Sequence, residues 1–110
     1  MTINEYQQEA LRTEGDYVGC NGALINGVLG LCGEAGECAD IVKKHLFQGH
    51  RLDTDHLIEE LGDVAWYLAT TAASQGYTLE YVLQNNVEKL RKRYPDGFSA
   101  DRSIHREETE

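Results

Sequence analysis

The sequence predicts an all-α protein built from four helices, and three observations lead there. Two long segments repeat their apolar residues with the helical period of 3.6 rather than the strand period of 2. Residues that cap or stop helices fall at the ends of those segments: Asn21, Asp53 or Thr54, Gly76 and Thr78. The single proline, Pro95, follows 94 residues without one, so no missing N–H interrupts a helix before it.

The elements follow in order. A short amphipathic helix covers about Asn4 to Thr13. The loop "EGDYVGC" leads to Asn21, which caps a second helix running to about Phe47. "QGHRLDTD" turns the chain into a third helix, which ends near Gln75 where Gly76 stops it. Thr78 caps a fourth helix that ends before Pro95. The polar tail from about residue 95 to 110 is expected to be irregular, with loose final residues. With no repeat, linker or low-complexity tract, the 110 residues read as one domain, 1–110.

Composition narrows the function. A net charge of −9 argues against a nucleic-acid reader, which normally carries a basic face. Anionic substrates stay compatible if a cation bridges them to the protein. The three cysteines are odd in number and form no CxxC pair, which points away from disulfide frameworks and zinc knuckles. Cys20, Cys32 and Cys38 read as small buried thiols in a reducing cytosol. The N-terminus has no signal-like apolar core, and no run approaches the ~18 apolar residues of a membrane span. A cytoplasmic protein with no membrane or nucleic-acid partner is expected. P-loop, GxGxxG and Ser-His-Asp patterns are lacking.

The stretch "GVLGLCGEAGE" places Gly27, Gly30, Gly33 and Gly36 inside the second helix, at a cost of roughly 3–4 kcal/mol relative to alanines. On a helical wheel Leu24, Val28, Leu31, Cys32, Ala35, Cys38, Ala39, Val42 and Leu46 form the apolar arc, flanked by Glu34 and Glu37. Helical side chains lean toward the N-terminus, so Glu34 leans over Gly30 and Glu37 over Gly33. These glycines are read as clearing space beside two carboxylates, with Gly27 and Gly36 left to packing. In the third helix Leu57, Ile58, Leu61, Val64, Ala65, Leu68, Ala69 and Ala72 form the arc. Glu60 and Asp63 flank it, with His56 and Tyr67 nearby, while Glu59, Trp66 and Thr70 fall on the outer side.

Two helices joined by a short loop pack antiparallel, which brings the ExxE and ExxD pairs face to face. Four carboxylates at one half-buried spot repel, so they need protons or a cation. Oxygen ligands without a thiolate select Mg²⁺, Mn²⁺ or Ca²⁺. A lone ExxE is usually a solvated face; two such pairs on the core edges of adjacent helices favour a metal. On the fourth helix Leu79, Val82, Leu83, Val87, Leu90 and Tyr94 form the arc, which also takes in Asn86 and Arg93, with Lys89 at its edge. Snorkelling or ion pairing accounts for most such cations, but a cationic edge facing an acidic one suits a polyphosphate. Lys44, beside Lys43, is a weaker phosphate candidate. Trp66 suits a subunit interface better than base stacking. His45, His50, His56 and His105 share no ligand spacing and read as surface or locally hydrogen-bonded residues.

Three stretches, "GLCGEAGECADIVKK", "EELGDVAWYLA" and "NNVEKLRKRYPDGF", carry a resemblance. Together they resemble the MazG-like branch of the all-α nucleoside triphosphate pyrophosphohydrolases, whose hallmark is ExxE, a spacer and ExxD. Here the spacer between Glu37 and Glu60 is 22 residues. The resemblance implies a four-helix MazG-like bundle completed by dimer or tetramer assembly. It implies Mg²⁺-dependent hydrolysis of nucleoside triphosphates to the monophosphate and pyrophosphate. By motif, Glu34, Glu37, Glu60 and Asp63 are the implied metal ligands and catalytic residues, with Mn²⁺ as an alternative ion. Asn86, Lys89 and Arg93 are implied to hold phosphate or sugar. Attack by water at the α-phosphorus is expected, with one of the four acids or Glu59 taking the proton. A di-iron bundle would place Glu-x-x-His on two helices, which this chain lacks. A nucleotide sensor or helical interaction module of the same fold is the alternative function.

Overall fold

In the computed structural model, residues 1–17 and 21–106 are described. Among them every regular element is helical: α1 (Ile3–Leu11), α2 (Gly22–Phe47), α3 (Thr54–Ser74), α4 (Leu79–Arg93) and α5 (Ala100–Ile104). The all-α class is as expected, but there are five helices rather than four. The fifth interrupts the tail expected to be irregular, because the Ser99 side chain accepts a hydrogen bond from Arg102 N and starts a turn. The end of the "EGDYVGC" loop with Cys20, and the last four residues of the tail, lie outside the described residues.

Local chemistry explains most helix ends. Thr2 caps α1 by accepting from Glu5 N at 3.0 Å. Asp53 caps α3 by accepting from His56 N at 3.1 Å. α3 stops in a Schellman arrangement: Tyr77 N donates to Ala72 O, Gly76 N donates to Ala73 O, and Gly76 takes φ +79°. Asn21 departs from expectation. It precedes α2, but in a left-handed conformation (φ 62°) and without a side-chain cap. A capping side chain normally acts from an extended backbone, which Asn21 does not adopt.

The chain divides into two compact units, Met1–Leu79 and Glu80 onward. In the first, α3 lies between α1 and α2 and contacts both. α2 and α3 run antiparallel. Gly27 stands opposite Thr71 and Gly30 opposite Tyr67, while Glu34 meets Glu60 and Asp63. A Cβ on Gly30 would fall within the Tyr67 ring, and one on Gly27 would strike the Thr71 hydroxyl. These two glycines therefore set how closely the helices approach. The expected roles are thus partly exchanged: Gly30 makes room for an aromatic ring, Gly27 is a seam residue, and Gly33 has open space around it.

The seam also shifts the apolar arc of α2. Gly27 and Ile41 are its buried residues, whereas Val28, Cys32, Val42 and Leu46 are exposed. Over Gly27 and Gly30 the space is filled by side chains of α3, Thr71 and Tyr67, so this stretch of the contact is made through small α2 residues while bulkier members of the arc stay exposed. The expected burial of Cys32 fails for that reason; Cys38 is half-buried.

α1 closes the other side of α3. Gln7 is 4% exposed, yet every polar atom of its amide is used. Nε2 donates to Ala69 O (3.0 Å) and Tyr77 O (3.3 Å), and Oε1 accepts from Leu79 N (3.1 Å). Ala10, Ala69 and Leu79 form a small buried cluster, against which Tyr6 and Trp66 pack. Trp66, expected on an outer side, packs on Ala10 of α1 and is half-buried; Thr70, expected there too, is buried. The second unit holds α4 from Glu80 and α5. Its Tyr94 and Phe98 rings lie 5.5 Å apart around the turn at Pro95.

The glycine seam gives a direct test by urea denaturation. Gly30→Ala forces the Tyr67 ring aside and should destabilise by about 1–3 kcal/mol. Gly33→Ala meets nothing within 4 Å and should stabilise by up to about 1 kcal/mol through helix propensity.

Candidate metal centre

Three carboxylates converge where α2 crosses the middle of α3. One oxygen each from Glu34, Glu60 and Asp63 lies within 4.8 Å of the others. Helical periodicity explains the grouping: Glu60 and Asp63 are three residues apart and share a face of α3, and the close α2 seam presents Glu34 to both. Glu34 and Glu60 are half-buried and Asp63 is exposed.

The electrostatics are strained. Glu34 is pushed up to about 7. The largest cause is its hydrogen bond with Glu60, followed by lost solvent and by the charges of Glu60, Asp63 and Glu37. Two carboxyl groups can share a hydrogen bond only if one keeps its proton. Glu60 has one oxygen committed, Oε1, which lies 3.1 Å from His56 Nε2. Its other oxygen, Oε2, is buried with no N–H donor in reach, so apart from the proton shared with Glu34 nothing offsets its charge. An orphaned buried carboxylate oxygen, two neighbouring carboxylates and no thiolate among them fit a hard divalent cation. Cations of this kind take oxygen ligands and would replace the shared proton.

The remaining candidates divide by location. Glu37, one turn beyond Glu34, is exposed and stands outside the three-carboxylate cluster, although its charge acts on Glu34. It lines a neighbouring cavity of about 190 Å³ with Asp40, Lys44, Arg51 and His56. Lys44 is held there by Asp40 at 2.9 Å. That hydrogen bond raises the Lys44 pKa and lowers that of Asp40, and the charge of Glu37 adds to the first effect. Asn86, Lys89 and Arg93 belong to α4 in the second unit, where Asn86 and Lys89 are exposed and Arg93 is half-buried. Glu59 is exposed on α3.

Sequence reasoning missed two contributors. Tyr6 of α1 is close enough to feel Asp63: burial first, then the Asp63 charge, raises its phenol pKa. His56 was noted near the acids, but its bond to Glu60 was not foreseen. The i, i+4 spacing of His56 and Glu60 was the available signal. Nothing local marked Tyr6, which reaches the site only through the packing of α1 on α3.

A family profile described as the MazG nucleotide pyrophosphohydrolase domain matches residues 26–98. That span contains the acids at 34, 37, 60 and 63 and the α4 residues at 86, 89 and 93. Gene 37 protein of Mycobacterium phage L5 is 44% identical over 73 residues, which covers 63% of this chain and 64% of the phage protein. The chain thus spans just under two thirds of that relative's length. No solved structure matches.

The raised Glu34 pKa makes stability depend on pH in a defined direction. A protonated Glu34 favours the folded state; this contribution is complete below 4.5 and is lost as pH rises through about 7. With EDTA present, thermal unfolding should therefore show wild type losing stability relative to Glu34→Gln across that interval. Saturating Mg²⁺ or Mn²⁺ should remove the loss, because a cation takes the place of the proton.

Proposed function

The chain belongs to the MazG nucleotide pyrophosphohydrolase family, and on that premise we propose that it hydrolyses nucleoside or deoxynucleoside triphosphates to the monophosphate and pyrophosphate, using Mg²⁺. The observation that carries this reading is the convergence of the Glu34, Glu60 and Asp63 carboxyl groups within 4.8 Å, with Glu60 Oε2 buried and out of reach of any N–H donor. Clustered carboxylates repel a polyphosphate unless a cation stands between them, so an acidic site in this family is consistent with a metal-loaded substrate.

In this reading Glu34, Glu60 and Asp63 hold the ion, and Glu37 joins them from the next turn of α2. When bound, Mg²⁺ would neutralise phosphate charge and lower the pKa of water. His56 keeps Glu60 oriented through the 3.1 Å contact to Oε1. One of the carboxylates, or Glu59, accepts the proton of the attacking water at the α-phosphorus. Asn86, Lys89 and Arg93 supply donors for phosphate and sugar, with Lys44 as a further cation once it leaves Asp40. The family match runs across both compact units, which supports treating the chain as one MazG-like domain.

Assembly into a dimer or tetramer belongs to the same proposal. Ile25 (54%), Leu29 (67%), Leu46 (63%) and Ile58 (61%) are unusually exposed apolar residues on α2 and α3. Exposed apolar residues in this number suit a homo-oligomeric interface.

Pyrophosphate release tests the function. A panel of canonical and modified nucleoside triphosphates is incubated with Mg²⁺, with and without EDTA. Release matched by monophosphate, and abolished by EDTA, is the expected result. Glu37→Gln and Asp63→Asn should each reduce turnover to background while circular dichroism still reports helix. If both variants stay active, the assignment of the acids is wrong. If folded wild type releases nothing, a nucleotide sensor of this fold becomes the better account. Sedimentation velocity should give a dimer or larger, and Leu29→Glu should shift it toward monomer.

A further inference from the structure

Two cavities adjoin the acidic residues, and they differ in chemistry. The smaller, about 190 Å³, is lined by Glu37, Lys44 and Arg51 with the imidazoles of His50 and His56. The larger, about 380 Å³, is lined by Thr13, Glu34, Asp63, Trp66 and Tyr67. That volume lies in the range of small-molecule sites. One side is acidic, formed by two of the clustered carboxyl groups. Its other side is aromatic. The Trp66 and Tyr67 rings stand 5.0 Å apart at 88°, forming a corner.

α1 fixes that corner. Trp66 Nε1 donates to Ala10 O at 3.0 Å and to Thr13 Oγ1 at 2.9 Å. The Thr13 hydroxyl in turn donates to Ala10 O at 3.1 Å. The indole therefore cannot swing freely, and its only N–H is committed within the protein. What it can offer a ligand is a flat, electron-rich face.

We propose that the larger cavity is the nucleobase subsite, with the base stacked on the Trp66 ring and the phosphates extending to the carboxylates. This rests on the nucleotide reading above and adds how the base is held. A nucleotide whose phosphates meet the acidic cluster has to place its base in an adjoining space. The charged cavity has half the volume, and its rings are the small imidazoles of His50 and His56. The aromatic corner accepts a planar group against one ring while the second ring meets its edge. Because every base has a π-face and the indole N–H is occupied, Trp66 contributes binding that is largely independent of base identity.

Trp66 is the chain's only tryptophan, so intrinsic fluorescence reports this ring alone. The probes are α,β-methylene triphosphates of adenosine, guanosine, cytidine and thymidine, which resist cleavage, and inorganic tripolyphosphate, which has no base. Each is titrated with Mg²⁺, and binding is measured in parallel by calorimetry. Stacking predicts that all four nucleotides quench Trp66 at the concentrations where calorimetry saturates, while tripolyphosphate binds without quenching. Trp66→Leu should weaken all four nucleotides on the order of tenfold or more and leave tripolyphosphate affinity unchanged. Nucleotides that bind with no change in fluorescence overturn the subsite, as does an equal change with tripolyphosphate. Absence of both nucleotide binding and pyrophosphate release overturns the nucleotide reading itself, and the subsite with it.

Discussion

The distance between α2 and α3 governs the rest of this structure. Glu34 can press against Glu60 and Asp63 only because Gly27 and Gly30 let the two backbones approach, with Thr71 and the Tyr67 ring filling the space where side chains would otherwise be. The approach has an electrostatic consequence. Carboxylates held this close cannot all be ionised without a counter-charge, and Glu34 responds by keeping its proton up to about pH 7. Helix propensity given up at the glycines is thus linked to a site that requires a proton or a cation. A looser seam would relieve the repulsion and lose the preorganised ligand geometry in the same step.

α1 has a separate task. Gln7 ties it to the end of α3 and the start of α4 through three hydrogen bonds, two of them buried, and Trp66 ties α3 back to Ala10 and Thr13. Buried amide groups with all their partners are rigid, because each lost bond leaves an unsatisfied group behind. The aromatic wall beside the acids is therefore held by Ala10 and Thr13, 56 and 53 positions before Trp66 in sequence. That coupling also brings Tyr6 close enough to feel Asp63.

The exposed apolar residues show what the chain does not complete by itself. Only four hydrophobic residues, Ala10, Ile41, Ala69 and Leu79, are buried among those described. On α2 the close seam uses small residues, so the bulky apolar residues point elsewhere. In the proposed oligomer they would find their cover, and the acidic site would then sit beside a subunit boundary rather than on an isolated surface.

Much of this was legible in sequence. The 3.6 period, the Asp53 cap and the Gly76 stop located α2, α3 and α4 within a residue or two, because helix formation and its ends are decided by near neighbours. The ExxE and ExxD pairs marked the acids for the same reason: spacing along one helix determines which residues share a face. What sequence could not decide was which face meets which neighbour. The apolar arc of α2 was centred on its large residues, yet contact with α3 is made through glycines, since close packing selects for size as well as polarity. Trp66 reads as outward from its own helix, which gives no sign that α1 packs on it. The order of helices, their ends and the local acid pairs follow from interactions within a few residues. The convergence of Glu34 on Glu60 and Asp63, the orphaned Glu60 oxygen and the Trp66 corner depend on contacts between segments tens of residues apart, which only the tertiary structure supplies.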